Sequence, residues 1–160
     1  LINRLKIKNI HFVQIGLFTK LSEPWLERVK QLNLQKHFNF LGYQKNASNF
    51  IPQFDIFLLT STNEGLPQVI YEAFYHNVPV VSTRVAGVPE VIENGENGLL
   101  AEKRDFKRLG EHVLTLSKDH DLRVKITATN KKLVTEKFST TKMAEKTLIE
   151  YKKAINGRLH

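Results

Sequence analysis

Two glutamates lie on either side of a Gly-Leu-Pro turn in the segment NEGLPQVIYEA. Glu64 comes directly before the turn, and Glu72 follows eight residues later in a run whose apolar residues have helical spacing. Carboxylate oxygens accept hydrogen bonds from hydroxyl groups, including those of sugars and riboses. Pro67 suits the first position of a helix and Gly65 allows a sharp turn, so backbone amides of the turn can point at an anion. These residue types therefore suit a ligand that carries both hydroxyl groups and phosphates.

The two glutamates also have an ordinary structural explanation. A carboxylate such as Glu64 near a helix N-terminus is stabilised by the helix dipole, and Glu72 can be a solvated helix residue. On spacing alone this structural explanation is preferred. The choice between the two explanations therefore depends on the elements around the turn and on the longer pattern of residues.

Short apolar runs bounded by turn residues alternate along the chain with segments of helical periodicity. This alternation predicts the α/β class, with a Rossmann-like parallel sheet flanked by helices. The turn at Gly65 follows the apolar run DIFLLT and opens a helix, so it lies at the carboxyl end of a strand, where open α/β sheets bind their ligands. The five predicted strands are residues 11–15, 38–41, 55–60, 78–82 and 98–101.

Helical periodicity predicts five helices. The first begins after Ser22, with Pro24 in its first turn, and the second carries Glu72. Three helices are predicted to close the chain, and the last begins at Ser139, with Phe138 and Met143 placed for a hydrophobic staple. The apolar faces, in chain order, are Trp25, Val29 and Leu32; Val69, Ile70, Ala73 and Phe74; Phe106, Leu109, Val113 and Leu116; Leu122, Ile126, Thr129 and Leu133; and Ala144, Leu148, Tyr151 and Ile155.

Composition narrows the classes of protein and partner. A chain of 160 residues with 41% apolar residues supports one ordinary core, and the absence of cysteine excludes disulfides and thiolate metal sites. No apolar run approaches the roughly 20 residues of a membrane span, and the first residues lack the apolar core of a secretory signal, so a soluble chain is expected.

The net charge of +8 raises nucleic acid and anionic membranes as partners. The basic residues are dispersed along helical patterns, which indicates solvated helix faces. No basic run is interleaved with aromatic residues, and no zinc-finger or RRM signature is present. Nucleic acid is therefore not an expected partner, whereas peripheral contact with anionic lipid stays compatible with the charge.

The wider segment TSTNEGLPQVIYEAFYHNVPVVSTRVAGVPEVIENGENGLL closely resembles the donor-binding half of retaining glycosyltransferases of family four, which have the GT-B fold. That family has a Ser after a strand, Glu-Gly at a turn, a second Glu eight residues after the first, a Pro-Val-Val strand, Gly-x-Pro-Glu and Asn-Gly-x-Leu. So many ordered matches are far more specific than two glutamates alone. The matching residues here are Ser61, Glu64 with Gly65, Glu72, residues 79–81, Gly87 with Pro89 and Glu90, and residues 97–99.

The resemblance implies a role for each part of the segment. Glu64 would bond hydroxyl groups of the transferred sugar and is the residue assigned to catalysis. Glu72 would bond the ribose of the nucleotide. The diphosphate would be received by the turn and the helix that follows it. The implied donor-binding residues of this segment are Ser61, Glu64, Gly65, Leu66, Pro67, Glu72 and Gly87.

Other implied contacts compete with structural explanations. The family places the base near the loop after the strand in FLGYQ, which makes Gly42 and Tyr43 candidates, and an ordinary strand end explains them equally well. Gly87 and Glu90 can instead be a tight turn and a helix-start charge. Arg84, at a strand end, can help to neutralise phosphate or be a surface charge.

The chain departs from the family pattern at several points. Leu17, Phe18 and Thr19 replace a Gly-rich stretch, and Asn77 replaces a Gly at a helix end, where Asn tolerates a left-handed conformation. A strand and loop with a diphosphate-binding Arg and Lys, and the amino-terminal acceptor domain, would precede the first residue. Residues 1–160 are therefore interpreted as a single nucleotide-sugar donor-binding domain, a fragment of a longer two-domain enzyme with the carboxyl-terminal half of a GT-B fold.

The predicted function is transfer of a sugar from a nucleotide diphosphate-sugar to an acceptor hydroxyl, in the synthesis of surface polysaccharide or glycolipid. The alternatives are another GT-B sugar enzyme, such as a phosphorylase or epimerase, and a non-catalytic nucleotide-binding module. Neither a metal nor another cofactor is implied, because positive groups and helix amides would stabilise the departing diphosphate. The expected partners are the donor, an unidentified acceptor and the amino-terminal domain, and the expected location is cytoplasmic, with the inner face of the membrane as the site of action if lipid is bound.

Overall fold

In the computed structural model, which describes residues 9–157, parallel β-strands alternate along the chain with helices. This confirms the predicted α/β class. The chain divides into an amino-terminal unit, Leu1–Phe50, and a carboxyl-terminal unit, Ile51–His160, and each unit contains its own parallel sheet. The interpretation of residues 1–160 as one donor-binding domain stays a prediction.

The amino-terminal unit contains a two-stranded parallel sheet of β1 (Phe12–Ile15) and β2 (Phe38–Gly42). Between the strands lie a 3-10 turn, helix α1 (Glu23–Gln31) and a second 3-10 turn. Ser22 stands at the N-cap of α1 as predicted, but its hydroxyl accepts the N–H of Thr19 at 3.1 Å and caps no amide of the helix. Aromatic rings pack along the sheet, with the Phe12 and Phe38 ring centroids 4.8 Å apart.

The carboxyl-terminal unit contains a three-stranded parallel sheet in the order β3-β4-β5. Its strands are β3 (Phe57–Leu59), β4 (Val80–Thr83) and β5 (Leu99–Ala101), with helix α2 (Gln68–Tyr75) and the short helix α3 (Val88–Val91) in the two connections. Every residue of β4 is buried, because this central strand is paired on both edges. The buried residues packed around this sheet include Ile51, Ile70, Ala73, Phe74, Val80, Val88, Ile92 and Leu100.

All five predicted strands are present, and their ends differ from the predicted ends by two residues at most. The prediction succeeded because each strand is a short apolar run that turn residues interrupt on both sides. The predicted left-handed helix end is also confirmed, since Asn77 after α2 has a φ of 54°.

The carboxyl-terminal region contains four helices where three were predicted. They are α4 (Phe106–Lys118), α5 (His120–Thr127), α6 (Asn130–Lys137) and α7 (Thr140–Asn156). The series from Leu122 to Leu133, predicted as one helix, is divided between α5 and α6. The fully buried Asn130 at the start of α6 donates from Nδ2 to the carbonyl of Asn97 at 3.0 Å, which gives the chain a tertiary contact where helical periodicity predicts a continuous helix.

The predicted apolar faces of α4 and α7 are buried to different extents. In α4, Leu109, Val113 and Leu116 are buried as predicted, but Phe106 at the first position of the helix is 67% exposed. The last helix begins after Ser139, whose hydroxyl accepts the N–H of Lys142 at 3.3 Å, as an N-cap should. All of its residues are exposed, including its apolar side chains. No helix within residues 9–157 has the length and apolar character that crossing a membrane requires.

Candidate functional site

The Glu64 loop, residues 60–67, leaves the carboxyl end of β3 and leads into α2. Pro67 is buried and stands at the N-cap of α2, one position before the predicted one, with φ −70° and ψ 111°. Gly65 is exposed, has no positive φ, and a Cβ added there would meet nothing within 4 Å. The sharp turn that Gly65 was predicted to allow therefore does not require glycine, although the open space leaves the backbone accessible to a ligand.

A second loop, the Gly87 loop (residues 84–87), leaves the carboxyl end of β4 and contacts the first. The N–H of Gly87 donates to the carbonyl of Gly65 at 3.1 Å. A Cβ at Gly87 would lie 2.6 Å from that carbonyl oxygen and 2.9 Å from Cδ1 of Leu66, so only glycine fits. Gly87 was predicted from the motif, and its requirement for glycine comes from this packing between loops.

The structure places Glu64 in the loop and Glu72 on α2, and both side chains are half-buried. The buried residues of α2 are Ile70, Ala73 and Phe74, so Glu72 lies beside the stripe that faces the core. Within residues 9–157 neither carboxylate forms a hydrogen bond or an ion pair. Both can therefore accept hydrogen bonds from a ligand.

The N-terminus of α2 has no side chain that caps it. The first N–H groups of a helix have no acceptor inside the helix, and the helix dipole adds a partial positive charge at this end. The N–H of Ile70 is bonded to the carbonyl of Pro67 at 3.1 Å, which leaves the amides of Gln68 and Val69 as the first donors at the helix end. This end of α2 is chemically suited to an anion.

Arg84 is engaged in an ion pair at the same edge of the sheet. Its Nε lies 3.0 Å from Oε1 of Glu102, which follows β5, and its backbone N–H donates to the carbonyl of Ala101 at 2.7 Å. Both side chains are largely solvated, and such ion pairs contribute little to stability. The guanidinium can therefore leave Glu102 for a more strongly charged anion.

Tyr71, next to Glu72 on α2, has a buried hydroxyl that finds no hydrogen-bond partner among the described residues. Its ring packs against Phe138, with centroids 4.9 Å apart. Burial raises the pKa of the Tyr71 phenol, and the negative charge of Glu90 raises it further. Glu90 itself is exposed on α3, so the structure favours the structural explanation of this residue.

A cavity of about 420 Å³ lies beside α3 and the end of α6. Neither Glu64 nor Glu72 belongs to its lining, so it is separate from the Glu64 loop. Its polar lining residues are Arg84, Glu90, Glu93, Asn94, Asn97 and Lys137. Within the described part of the chain, no three His, Asp, Glu or Cys residues are arranged to hold a metal ion.

Gly42 and Tyr43 lie in the amino-terminal unit, at the carboxyl end of β2. The N–H of Gly16 donates to the carbonyl of Gly42 at 2.9 Å, which joins the loops after β1 and β2. Gly42 has a φ of +67°, a conformation that favours glycine, and a Cβ there would lie 3.6 Å from the ring of Phe18. Tyr43 is 68% exposed. Phe18, which replaces the Gly-rich stretch of the family, thus lies beside a predicted site residue.

Thr83 is a residue of the site that the sequence analysis missed. Its hydroxyl donates to the carbonyl of Ser61, at the start of the Glu64 loop, at 2.5 Å. The available signal was the pair of polar residues, Ser82 and Thr83, at the end of the strand, but the sequence does not reveal the partner of Thr83. The structure therefore brings together Ser61, Gly65, Leu66 and Gly87, and adds Thr83 to them.

The family model described as glycosyl transferases group 1 matches residues 1–119. The chain belongs to this family. N-acetyl-alpha-D-glucosaminyl L-malate synthase of Bacillus anthracis is 34% identical to this glycosyltransferase chain over 118 residues, which are 74% of the chain and 31% of that protein. The capsular polysaccharide biosynthesis glycosyltransferase CapM of Staphylococcus aureus is 36% identical over 92 residues, which are 58% of the chain and 24% of CapM. The glycosyltransferase chain thus spans about a third or a quarter of these relatives.

The fold is shared with glycosyltransferases of known structure. HepE of Anabaena, in its crystal structure with UDP-glucose, matches 96% of the chain with a TM-score of 0.84 and 22% identity, and the match covers 44% of HepE. The predicted resemblance to the carboxyl-terminal half of a GT-B glycosyltransferase is therefore confirmed at the level of family and fold.

Proposed function

We propose that the chain is the donor-binding domain of a retaining glycosyltransferase, and that it binds a nucleotide diphosphate-sugar at the Glu64 loop and the N-terminus of α2. The observation that carries the proposal is the pair of half-buried carboxylates without partners among the described residues, Glu64 and Glu72, on either side of an uncapped helix N-terminus. Such a site offers acceptors for hydroxyl groups and donors for phosphates in one segment.

Each part of the donor has a suitable partner. The diphosphate is bound by the amides of Gln68 and Val69 and by the accessible backbone at Gly65. Glu72 accepts from the ribose hydroxyls, and Glu64 accepts from the hydroxyls of the sugar. Ser61 and Leu66 complete the loop, and Pro67 stands at the N-cap of α2.

Gly42 and Tyr43 are proposed to bind the nucleotide base. Gly42 has a left-handed backbone at the strand end, and Tyr43 is an exposed aromatic ring. Aromatic rings stack with planar bases, and backbone groups can bond their edges. Both residues lie in the amino-terminal unit.

Transfer breaks the bond between the anomeric carbon and the diphosphate oxygen and forms a bond from that carbon to the acceptor oxygen, whose proton passes to the departing diphosphate. Negative charge develops on the departing diphosphate, and the helix amides stabilise it without a metal ion. Glu64 is assigned to catalysis because its bonds to the sugar hold the anomeric carbon within reach of the acceptor oxygen. In this proposal the amino-terminal domain of the full-length protein binds the acceptor.

The biological context is proposed from the relatives. CapM is named for capsular polysaccharide biosynthesis, and another relative, LpsE of Rhizobium meliloti, for lipopolysaccharide core biosynthesis. HepE was crystallised with UDP-glucose, so a UDP-sugar is the first donor to test. We assign the full-length protein to synthesis of surface polysaccharide or glycolipid, in the cytoplasm or at the inner face of the membrane.

Calorimetry on the full-length protein tests the proposal. UDP, UDP-glucose and UDP-N-acetylglucosamine are titrated separately, and UDP is then used to compete with the tighter UDP-sugar. We expect saturable binding of UDP and of at least one UDP-sugar at a shared site. Nucleotide binding that is indifferent to any attached sugar would instead favour a nucleotide-binding module, and no binding of either class would reject the donor site.

A further inference from the structure

Thr83 is the last residue of β4 and is 1% exposed. Its Oγ1 donates to the carbonyl oxygen of Ser61 at 2.5 Å, so the bond crosses from the end of β4 to the start of the Glu64 loop. A buried hydroxyl needs a hydrogen-bond acceptor, and the acceptor of Thr83 lies outside its own strand. The bond therefore restrains the loop that carries the candidate catalytic residue.

The other end of the loop is restrained by Gly87. Its N–H donates to the carbonyl of Gly65 at 3.1 Å, and the two backbones approach so closely that a Cβ at Gly87 would lie 2.6 Å from that oxygen. Both contacts come from the same segment, the end of β4 and the Gly87 loop. The Glu64 loop is therefore held at Ser61 and at Gly65, and Glu64 lies between the two points.

Besides these two bonds, the loop is anchored at its end by the buried Pro67. Residues 60–67 contain no regular helix or strand, and Thr62 and Asn63 are exposed. Within the described residues, no side chain of the loop forms a hydrogen bond or an ion pair. The direction of the Glu64 carboxylate therefore depends on the two backbone carbonyls that Thr83 and Gly87 hold.

We propose that Thr83 and Gly87 are positioning residues, which hold Glu64 in the orientation that binds the sugar of the donor. The inference rests on the proposed role of Glu64, and it adds a positioning role for Thr83 and for Gly87, the second of which the family resemblance also implies as a donor contact. A carboxylate displaced by about 1 Å loses much of its hydrogen bonding, so a looser loop weakens sugar recognition while the diphosphate site at α2 is retained.

The decisive variants are Thr83→Val, which keeps the shape of the side chain without its hydroxyl, and Thr83→Ser, which keeps the hydroxyl. Thr127→Val is the matched control, because Thr127 is also buried and donates to a backbone carbonyl, that of Arg123, at 2.8 Å in α5. All are made in the full-length protein, and affinities for UDP and for the UDP-sugar are measured by calorimetry. Thermal unfolding checks that each variant is folded.

We expect Thr83→Val to weaken binding of the UDP-sugar roughly threefold to tenfold and binding of UDP less than about twofold, since one neutral hydrogen bond is lost indirectly. Thr83→Ser should bind UDP and the UDP-sugar with the affinities of the wild type, and Thr127→Val should change neither affinity. Because Thr83 acts through Glu64, adding Thr83→Val to Glu64→Ala should cause no further loss. An equal loss for both ligands, or additive effects in the double variant, would overturn the positioning role.

Hydrogen exchange without ligand separates this inference from the proposed function. Peptides that cover residues 61–66 should exchange faster in Thr83→Val than in the wild type and Thr127→Val. Unchanged exchange there would overturn the restraint, even if the wild type binds a UDP-sugar. If exchange is faster in Thr83→Val but the wild type binds no UDP-sugar, the restraint on the loop exists without a donor site. That result would reject the proposed function and the positioning role together.

Discussion

At the scale of single residues, Glu64 and Glu72 have the same chemistry and the same half-buried exposure, but they lie on different elements. Glu64 is on a loop and Glu72 on the helix that follows it. The helix residue is held rigidly by the core contacts of its neighbours Ile70 and Ala73, whereas the loop residue depends on contacts with another loop. The proposed ligands of the two carboxylates are different parts of one donor, so their variants should have separable effects.

Glu72→Ala in the full-length protein should weaken UDP and the UDP-sugar equally, because both ligands carry the ribose. A hydrogen bond to a charged acceptor contributes about 1.5 to 3 kcal/mol, which corresponds to a roughly tenfold to hundredfold loss of affinity. Calorimetry with both ligands measures it, with Glu90→Ala as the control on the exposed face of α3. Loss for the UDP-sugar alone would contradict the ribose assignment.

Glu64→Ala should leave the affinity for UDP nearly unchanged and reduce binding of the UDP-sugar roughly tenfold to a hundredfold, because only the sugar hydroxyls lose their acceptor. Turnover should fall as well, since the sugar is no longer held in place for the acceptor. Paired titrations of UDP and the UDP-sugar separate these effects. If both glutamate variants leave both affinities unchanged, the carboxylates are ordinary helix-region charges and the site lies elsewhere.

Tyr71→Phe should leave the free energy of unfolding within about 1 kcal/mol of the wild type at neutral pH, because the hydroxyl it removes has no partner in the described structure. Above about pH 10 the unfolded chain ionises this tyrosine, whereas the raised pKa keeps the folded phenol neutral. The folded state therefore loses stability as the pH rises through that range, and Tyr71→Phe should lose less.

Denaturant unfolding at pH 7 and at about pH 10.5 checks the Tyr71 prediction. Tyr75→Phe is the control, because Tyr75 is exposed on the same helix. Equal alkaline destabilisation of the Tyr71→Phe variant and the wild type would show that the buried phenol does not contribute to the pH dependence.

At the scale of elements, a set of asparagines joins α3, the loop before β5 and α6. Asn97 donates from Nδ2 to the carbonyl of Val91 at 2.9 Å and accepts the N–H of Glu93 at 2.8 Å, and the side chain of Asn94 accepts the N–H of Leu100 at 2.7 Å. Asn130 then donates to the carbonyl of Asn97. These side-chain bonds add to the backbone bonds of the loop, such as the one from the N–H of Gly95 to the carbonyl of Gly98 at 2.8 Å.

Asn130→Ala should lower the free energy of unfolding by about 1 to 3 kcal/mol, because the buried carbonyl of Asn97 loses its donor. Denaturant unfolding measures the loss, and Asn156→Ala at the exposed end of α7 is the control. A change no larger than that of the control would mean that solvent reaches the carbonyl and that the division between α5 and α6 has another cause.

At the scale of the whole molecule, the chain matches under half the length of N-acetyl-alpha-D-glucosaminyl L-malate synthase and of HepE. We expect the 160-residue chain alone to bind nucleoside diphosphate weakly and to transfer no sugar. The diphosphate would be held only by the amides of α2 and the nearby loop, without the Arg and Lys that the family resemblance implies. Titration with UDP and an assay for UDP release measure both quantities, and sugar transfer by the purified chain would contradict the expectation.

The sequence by itself determined the strands, most helices and the segment from Ser61 to Glu72, because apolar periodicity, turn residues and motif spacing are local properties. Tertiary structure decided what links residues far apart in sequence. The bond from Thr83 to Ser61, the requirement for glycine at Gly87 and the buried Asn130 that starts α6 all depend on how separate elements approach one another. The exposure of Phe106 and of α7 could likewise not be predicted from the sequence. Periodicity identifies an apolar face, but only packing determines whether another element covers that face.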